Sequence, residues 1–122
     1  MRSDTLTRRN AKPRPPLRPR RGPRGRLAEA LLALAGGRTR IASHCERNWA
    51  SITFAGARHR VEIAFDGAEA VDAGECFIAF LPEHEFAIPG QLVADAAIVE
   101  AASTLDPPRL TVTCELLLLE ET

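Results

Sequence analysis

Residues 49–65, WASITFAGARHRVEIAF, alternate between apolar and polar side chains, and this alternation constrains the fold more than any other feature of the chain. Neighbouring side chains of a β-strand point to opposite faces of its sheet, so the segment predicts strands with one buried and one polar face. Gly56 and Ala57 suit a two-residue type II′ turn, which needs glycine first. The segment therefore predicts a β-hairpin in a sheet that is covered on one side. In this register the core face holds Ala50, Ile52, Phe54, His59, Val61, Ile63 and Phe65.

The other segments complete a predicted α+β fold. Residues 25–35 are rich in leucine and alanine and predict a helix that two glycines end, and residues 68–81 predict a second helix. The order αβββαβββ predicts an antiparallel sheet of about six strands with two helices on one face. Besides the hairpin, the predicted strands are residues 39–45, which a turn at 46–48 follows, and residues 85–88, 91–101 and 109–119.

The last predicted strand has the most regular apolar face. Pro89 and Gly90 predict a type II turn before the final two strands, with proline first and glycine second. Cys114 lies within an apolar alternation, where a free cysteine is usually a small buried side chain. The residues expected to share this buried face are Leu110, Val112, Cys114, Leu116 and Leu118.

The first 26 residues differ in composition from the rest of the chain. They carry ten basic side chains, nine arginines and Lys12, against one acidic residue, Asp4, and they contain five of the nine prolines. Such a segment cannot bury enough apolar surface to offset the entropy lost on folding. We therefore expect a disordered basic arm, residues 1–26, followed by a single domain, residues 27–122. One interpretation is that the arm contacts nucleic acid, chiefly through Arg18, Arg20, Arg21 and Arg24. The alternatives are a solvated leader with no specific role, or an over-long gene prediction in which the natural start, nearer Leu27, uses a codon other than that for methionine.

The familiar catalytic and metal-binding motifs are missing from the sequence. The three cysteines are 31 and 38 residues apart, so no two have the close spacing of a zinc site or a redox dithiol. No phosphate-binding loop, dinucleotide fingerprint, HExxH helix or nucleophile elbow occurs. We expect no metal, no cofactor and no catalytic residue. Since no apolar run could span a bilayer or act as an export signal, the expected location is cytoplasmic, without membrane contact.

The polar face of the hairpin is the expected binding surface. Tryptophan and arginine are enriched where proteins bind partners, and an exposed tryptophan beside an arginine on a sheet is unusual. The alternative is that helices or a second subunit cover this face, and that Ser51–Glu62 and Thr53–Arg60 are ordinary cross-strand pairs. If the turn at residues 46–48 pairs the strands on either side of it, the candidate site comprises His44, Trp49, Thr53, Arg60 and Glu62.

Three classes of function fit these features. The leading hypothesis is a non-enzymatic binding or self-association module, with a homodimer as its simplest form. The second is a nucleic-acid-associated protein that binds through the arm. The third is a small hydrolase or isomerase in which His59 or His44 acts with Glu62 or Asp95 as an acid–base pair.

Residues 49–59, WASITFAGARH, resemble a W-A-S-x-T-F-x-G-A-R-H signature of small uncharacterised bacterial proteins. The resemblance extends from Leu27 to the end of the chain and leaves out the basic arm. It implies no activity, cofactor or catalytic residue.

Overall fold

A computed structural model of the chain describes residues 22–37 and 39–121. Both predicted helices are present, and α1 begins at Pro23, within the segment assigned to the arm. The arm as far as residue 21 lies outside the described residues. A single 3-10 turn, Leu81–Glu83, follows the second helix. The elements in chain order are α1 (Pro23–Leu34), β1 (Thr39–Ala50), β2 (Ala55–Asp66), α2 (Ala68–Phe80), β3 (Gln91–Leu105) and β4 (Pro108–Glu120).

The strands form one antiparallel sheet in the order β1-β2-β4-β3. The prediction of six strands in the order αβββαβββ is wrong, because the described residues form four strands in the order αββαββ. Residues 46–48 do not turn but continue β1, where Glu46 pairs with His59. Residues 85–88 contribute only an isolated bridge between Ile88 and Gln91. Charged residues fit within β1 because an edge strand exposes much of its length to water.

The turn of the β1–β2 hairpin lies four residues earlier than predicted. The Ser51 N–H donates to the Phe54 carbonyl oxygen at 2.8 Å, and the Phe54 N–H donates to Ser51 Oγ at 3.1 Å. These two hydrogen bonds close the turn at residues 51–54, so Trp49 pairs with Gly56 and Gly56 lies inside β2. The prediction that Ile52 and Phe54 face the core is wrong, since their exposed fractions are 102% and 51%.

The core lies between one face of the sheet and the two helices. The two central strands, β2 and β4, supply every second residue to it, and the predicted apolar face of β4 is confirmed. His59 is also buried on this face, as predicted. The largest fully buried apolar side chains are Leu27, Leu31, Val61, Ile63, Phe65, Phe77, Leu81, Val112, Leu116 and Leu118.

Gly74 sets how closely α2 packs on the sheet. A Cβ at this position would lie 2.6 Å from Leu110 Cδ2 and 2.9 Å from Phe65 Cγ, closer than real carbon atoms approach. We expect Gly74→Ala to lower the free energy of unfolding by about 1–3 kcal/mol, because the overpacking outweighs the better helix propensity of alanine. Urea unfolding measures the change. In a Leu110→Val background, which removes the clashing Cδ2 atom, the same substitution should cost less, and equal costs in both backgrounds would contradict this account.

Candidate functional site

The side of the sheet opposite the helices is open in the described part of the chain, and we call it the open face. Cross-strand pairing arranges its side chains in rows that run across the four strands. One row near the β1–β2 turn is apolar and contains Trp49, Gly56, Leu119 and Leu92. The next row contains Arg47, Arg58, Leu117 and Asp95, and the row after it contains Cys45, Arg60, Glu115 and Ala97.

Charge is separated across the open face. In the described part of the chain, four of the five arginines on this face lie on β1 and β2, and the fifth, Arg109 of β4, pairs with Asp66. Strand β3 carries Asp95 and Glu100 along the opposite edge. Arg47 and Arg58 pair directly in the register, and like charges in that position are destabilising. Among the described residues neither arginine has an ion-pair partner, and neither does Asp95. The face therefore has a positive side and a negative side, with charges left unneutralised at both edges.

The structure brings together three of the five predicted site residues. Trp49, Arg60 and Glu62 all lie on the open face. Arg60 Nη1 donates to Glu115 Oε2 at 2.5 Å, and Ser43 Oγ donates to Glu62 Oε1 at 3.3 Å. The predicted cross-strand pairs Ser51–Glu62 and Thr53–Arg60 are wrong, because both assumed the later turn.

The other two predicted residues lie elsewhere. Thr53 is in the exposed β1–β2 turn, away from the open face rows. His44 lies on the helix-covered side of β1, where its Nε2 is 2.9 Å from Nδ1 of the buried His59. The two histidines lie next to α1, which contacts β1 through Arg24. Arg24 Nη2 donates to the His44 carbonyl oxygen at 2.6 Å, and Arg24 Nη1 lies 3.5 Å from Glu46 Oε1.

Burial holds both histidines in their neutral form. Desolvation is the main cause that lowers the pKa of His44 to about 4, and Arg24 and His59 add to it while Glu46 opposes it. Desolvation likewise lowers the pKa of His59, opposed by Glu46 and assisted by Arg24. The Nε2 atom of His59 is buried and has no hydrogen-bond partner among the described residues. Both imidazoles are therefore packing groups at the edge of the core.

The sheet separates these histidines from the carboxylates proposed as their catalytic partners. Glu62 and Asp95 are both on the open face, whereas His44 and His59 are on the helix-covered face. An acid–base pair needs its two groups within hydrogen-bonding reach of one substrate. The arrangement of the described residues therefore does not support the hydrolase or isomerase hypothesis.

Of the four arm arginines named above, only Arg24 is within the described residues. It lies in α1 and contacts His44 and Glu46, as given above. Arg18, Arg20 and Arg21 lie outside the described residues. Nothing in the described part of the chain supports a nucleic-acid interface.

An exposed apolar cluster, which the sequence pattern did not reveal, lies where the β1–β2 turn meets the start of β3. We call it the turn patch, and it consists of the exposed Ile52, Phe54 and Leu92, with the buried Leu119 lining the groove beside them. Leu92 is 50% exposed, and a groove of about 530 Å³ runs between the turn and the ends of β3 and β4. The sequence feature that indicates this cluster is Ser51, because serine side chains often close turns. A turn that begins at Ser51 places Ile52 and Phe54 in the exposed turn and not in the strands.

The three cysteines differ in exposure. Cys45 lies on the open face and is exposed, as is Cys76 on α2, whereas Cys114 is buried as predicted. Burial raises the pKa of the Cys114 thiol to about 12, so this thiol is unreactive. Within residues 22–37 and 39–121, no group of three or more histidine, cysteine or acidic side chains is arranged to hold a metal ion. None of the described helices is long and apolar enough to cross a membrane.

Comparisons with known proteins bear on the fold. No protein-family model and no curated protein matches the sequence, and the resemblance of residues 49–59 stays a prediction. A chain from a solved structure described as "Virion of native gene transfer agent (GTA) particle" matches with a TM-score of 0.52 at 15% sequence identity. The match covers 75% of this chain and 84% of that chain. This protein therefore shares its α+β fold with a component of a gene transfer agent virion.

Proposed function

We propose that the protein is a structural subunit that associates with further copies of itself in a larger assembly. The observation that carries the proposal is the turn patch. Ile52 is 102% exposed, and the turn patch around it is apolar. Contiguous apolar surface is uncommon on proteins that act alone and marks contact sites.

Two further features support this role. The likeness to a chain from a virion particle points to an assembly built from many subunits. The open face leaves charges of both signs unneutralised at its two edges, which suits contact between subunits better than solvent exposure. The described histidines and carboxylates, by contrast, form no catalytic arrangement.

The proposal is tested with a variant that replaces the two exposed apolar side chains of the turn, Ile52→Asp with Phe54→Asp. Both side chains point into solvent, so the fold should survive. Self-association, measured by sedimentation velocity, should weaken by about 10–100-fold, because buried anchors carry most of the energy of an interface.

The matched control is Leu105→Asp. Leu105 is 92% exposed but lies at the opposite end of the sheet, as the last residue of β3 before the β3–β4 turn. It should leave the sedimentation profile unchanged. If the control and the turn variant weaken association equally, general surface hydrophobicity and not the turn patch is responsible.

A further inference from the structure

Two strand edges of the sheet are unpaired among the described residues. β1 and β3 are the outermost strands, and no described strand pairs with the outer side of either. Such edges present peptide groups that can pair with another chain. On the β1 edge, the His44 carbonyl oxygen already accepts a hydrogen bond from Arg24. β1 and β3 run antiparallel to each other, because three antiparallel steps separate them. A second copy could therefore continue the sheet in the same antiparallel pattern.

We propose that the β1 edge of one copy pairs with the β3 edge of the next copy, so that one sheet continues from subunit to subunit. This inference rests on the proposed function and names the surface that performs it. The occupant of each edge is another copy of this chain. The contact is head-to-tail, so each subunit uses two different edges and the assembly grows into a ring or a filament.

The charge on the two edges selects this arrangement. On the open face, the β1 edge presents Arg47, which has no ion-pair partner among the described residues, and Arg40, which pairs with Asp66. The β3 edge presents Asp95 and Glu100. Pairing β1 with β1 or β3 with β3 would bring like charges together, which disfavours such an interface. Pairing β1 with β3 brings opposite charges together. A symmetric dimer through either edge is therefore disfavoured.

The rows of the open face also select the register. If each row continues without a shift from β3 of one copy to β1 of the next copy, Asp95 lies opposite Arg47 of that copy. In the same register Leu92 lies beside its Trp49. Arg47 then gains a carboxylate neighbour on its outer side, which offsets the repulsion from Arg58. A shift of two residues either way would place Asp95 opposite Cys45 or Trp49 and lose the charge pair.

Two bulges in β3 limit the length of the contact. The register shifts between Val93 and Asp95 and again between Ile98 and Glu100. Bulges bend a strand and increase its twist, so the contact is centred on residues 95–98, which lie between the two bulges. The resulting contact is short, and consecutive subunits are rotated relative to one another rather than stacked into a flat ribbon.

Charge reversal with complementation tests the pairing. Arg47→Glu alone and Asp95→Arg alone should each weaken self-association at least about tenfold, because each sets like charges opposite one another. A mixture of the two variants should associate again, since every contact then joins an acid to an arginine. Both residues are exposed, so circular dichroism should show an intact fold for each variant.

A designed cross-link tests the register independently. Ala97 should face Cys45 of the next copy, so Ala97→Cys in a Cys76→Ser background should form intermolecular disulfides when diamide oxidises the two thiols and is itself reduced to the hydrazine. Denaturing gels should show a ladder of multimers. The matched control is Ala102→Cys in the same background, which lies on the same face of β3 but opposite Arg40, and it should give no ladder.

The outcomes separate this inference from the proposed function. If Arg47→Glu and Asp95→Arg leave self-association unchanged but the Ile52→Asp, Phe54→Asp variant weakens it, the edge pairing is wrong and the proposed function still holds. A ladder from Ala102→Cys equal to that from Ala97→Cys would overturn the register. A wild-type protein that never associates would overturn the proposed function as well.

Discussion

Phe65→Ala is expected to lower the free energy of unfolding by about 3–5 kcal/mol, the usual cost of removing a buried aromatic ring. Phe65 is fully buried on the core face of β2, and its ring centroid lies 5.9 Å from that of Phe77 on α2. It also lies against Gly74, where the helix approaches the sheet most closely. The cavity left by alanine cannot be filled easily, because both neighbours are held by other packing. Urea unfolding followed by far-ultraviolet circular dichroism measures the loss.

Phe80→Ala is the matched control for this substitution. Phe80 belongs to the same helix that covers Phe65, but it is 59% exposed. Its replacement should change the unfolding free energy by about 0.5 kcal/mol or less, as expected at a surface position. Equal losses for the two variants would mean that α2 does not pack on the sheet through the face described above.

Acid should destabilise the protein through the His44–His59 pair. The folded state lowers the pKa of His44 from 6.5 to about 4, and burial lowers that of His59 as well. The unfolded chain therefore binds more protons than the folded chain below pH 6.5, so stability falls as the pH falls from 6.5 towards 4. The contact itself adds to this effect, because two protonated imidazoles would point N–H groups at each other across 2.9 Å.

Unfolding in urea at a series of pH values tests this prediction. The wild-type free energy of unfolding should decline as the pH falls from 6.5 towards 4. A variant with His44→Gln and His59→Leu should show a flatter profile there, since neither replacement titrates. Parallel profiles for the two proteins above pH 5, before most carboxylates titrate, would show that these histidines do not set the acid limit.

The sequence predicts the fold best where side-chain alternation and turn chemistry agree. The apolar face of β4 is unambiguous, and the Pro89-Gly90 turn is confirmed by the Gln91 N–H donating to the Ile88 carbonyl oxygen at 3.0 Å. The β1–β2 hairpin shows the limit of such patterns. Moving its turn by four residues keeps the side chains that remain in the two strands on the same faces, so alternation alone cannot choose between the two registers. The Ser51 side chain makes that choice, and Gly56 instead lies within β2.

The candidate site was only partly predictable for a related reason. The pairing of Trp49 and Arg60 on one face follows from the alternation in each strand. The separation of arginines from carboxylates depends on the order β1-β2-β4-β3, in which β2 pairs with β4 and residues between 43 and 63 positions apart in the chain lie side by side. No pattern within a single segment of the sequence predicts that strand order. His44 was misplaced because a turn was expected where β1 continues.

The mass of the wild-type protein in solution tests the central claim most directly. Sedimentation velocity across a range of protein concentrations should show species larger than a monomer that increase with concentration, and added salt should dissociate them because charge pairs contribute to the contact. A single monomeric species at every concentration and at low salt would contradict the claim that this chain is an assembly subunit.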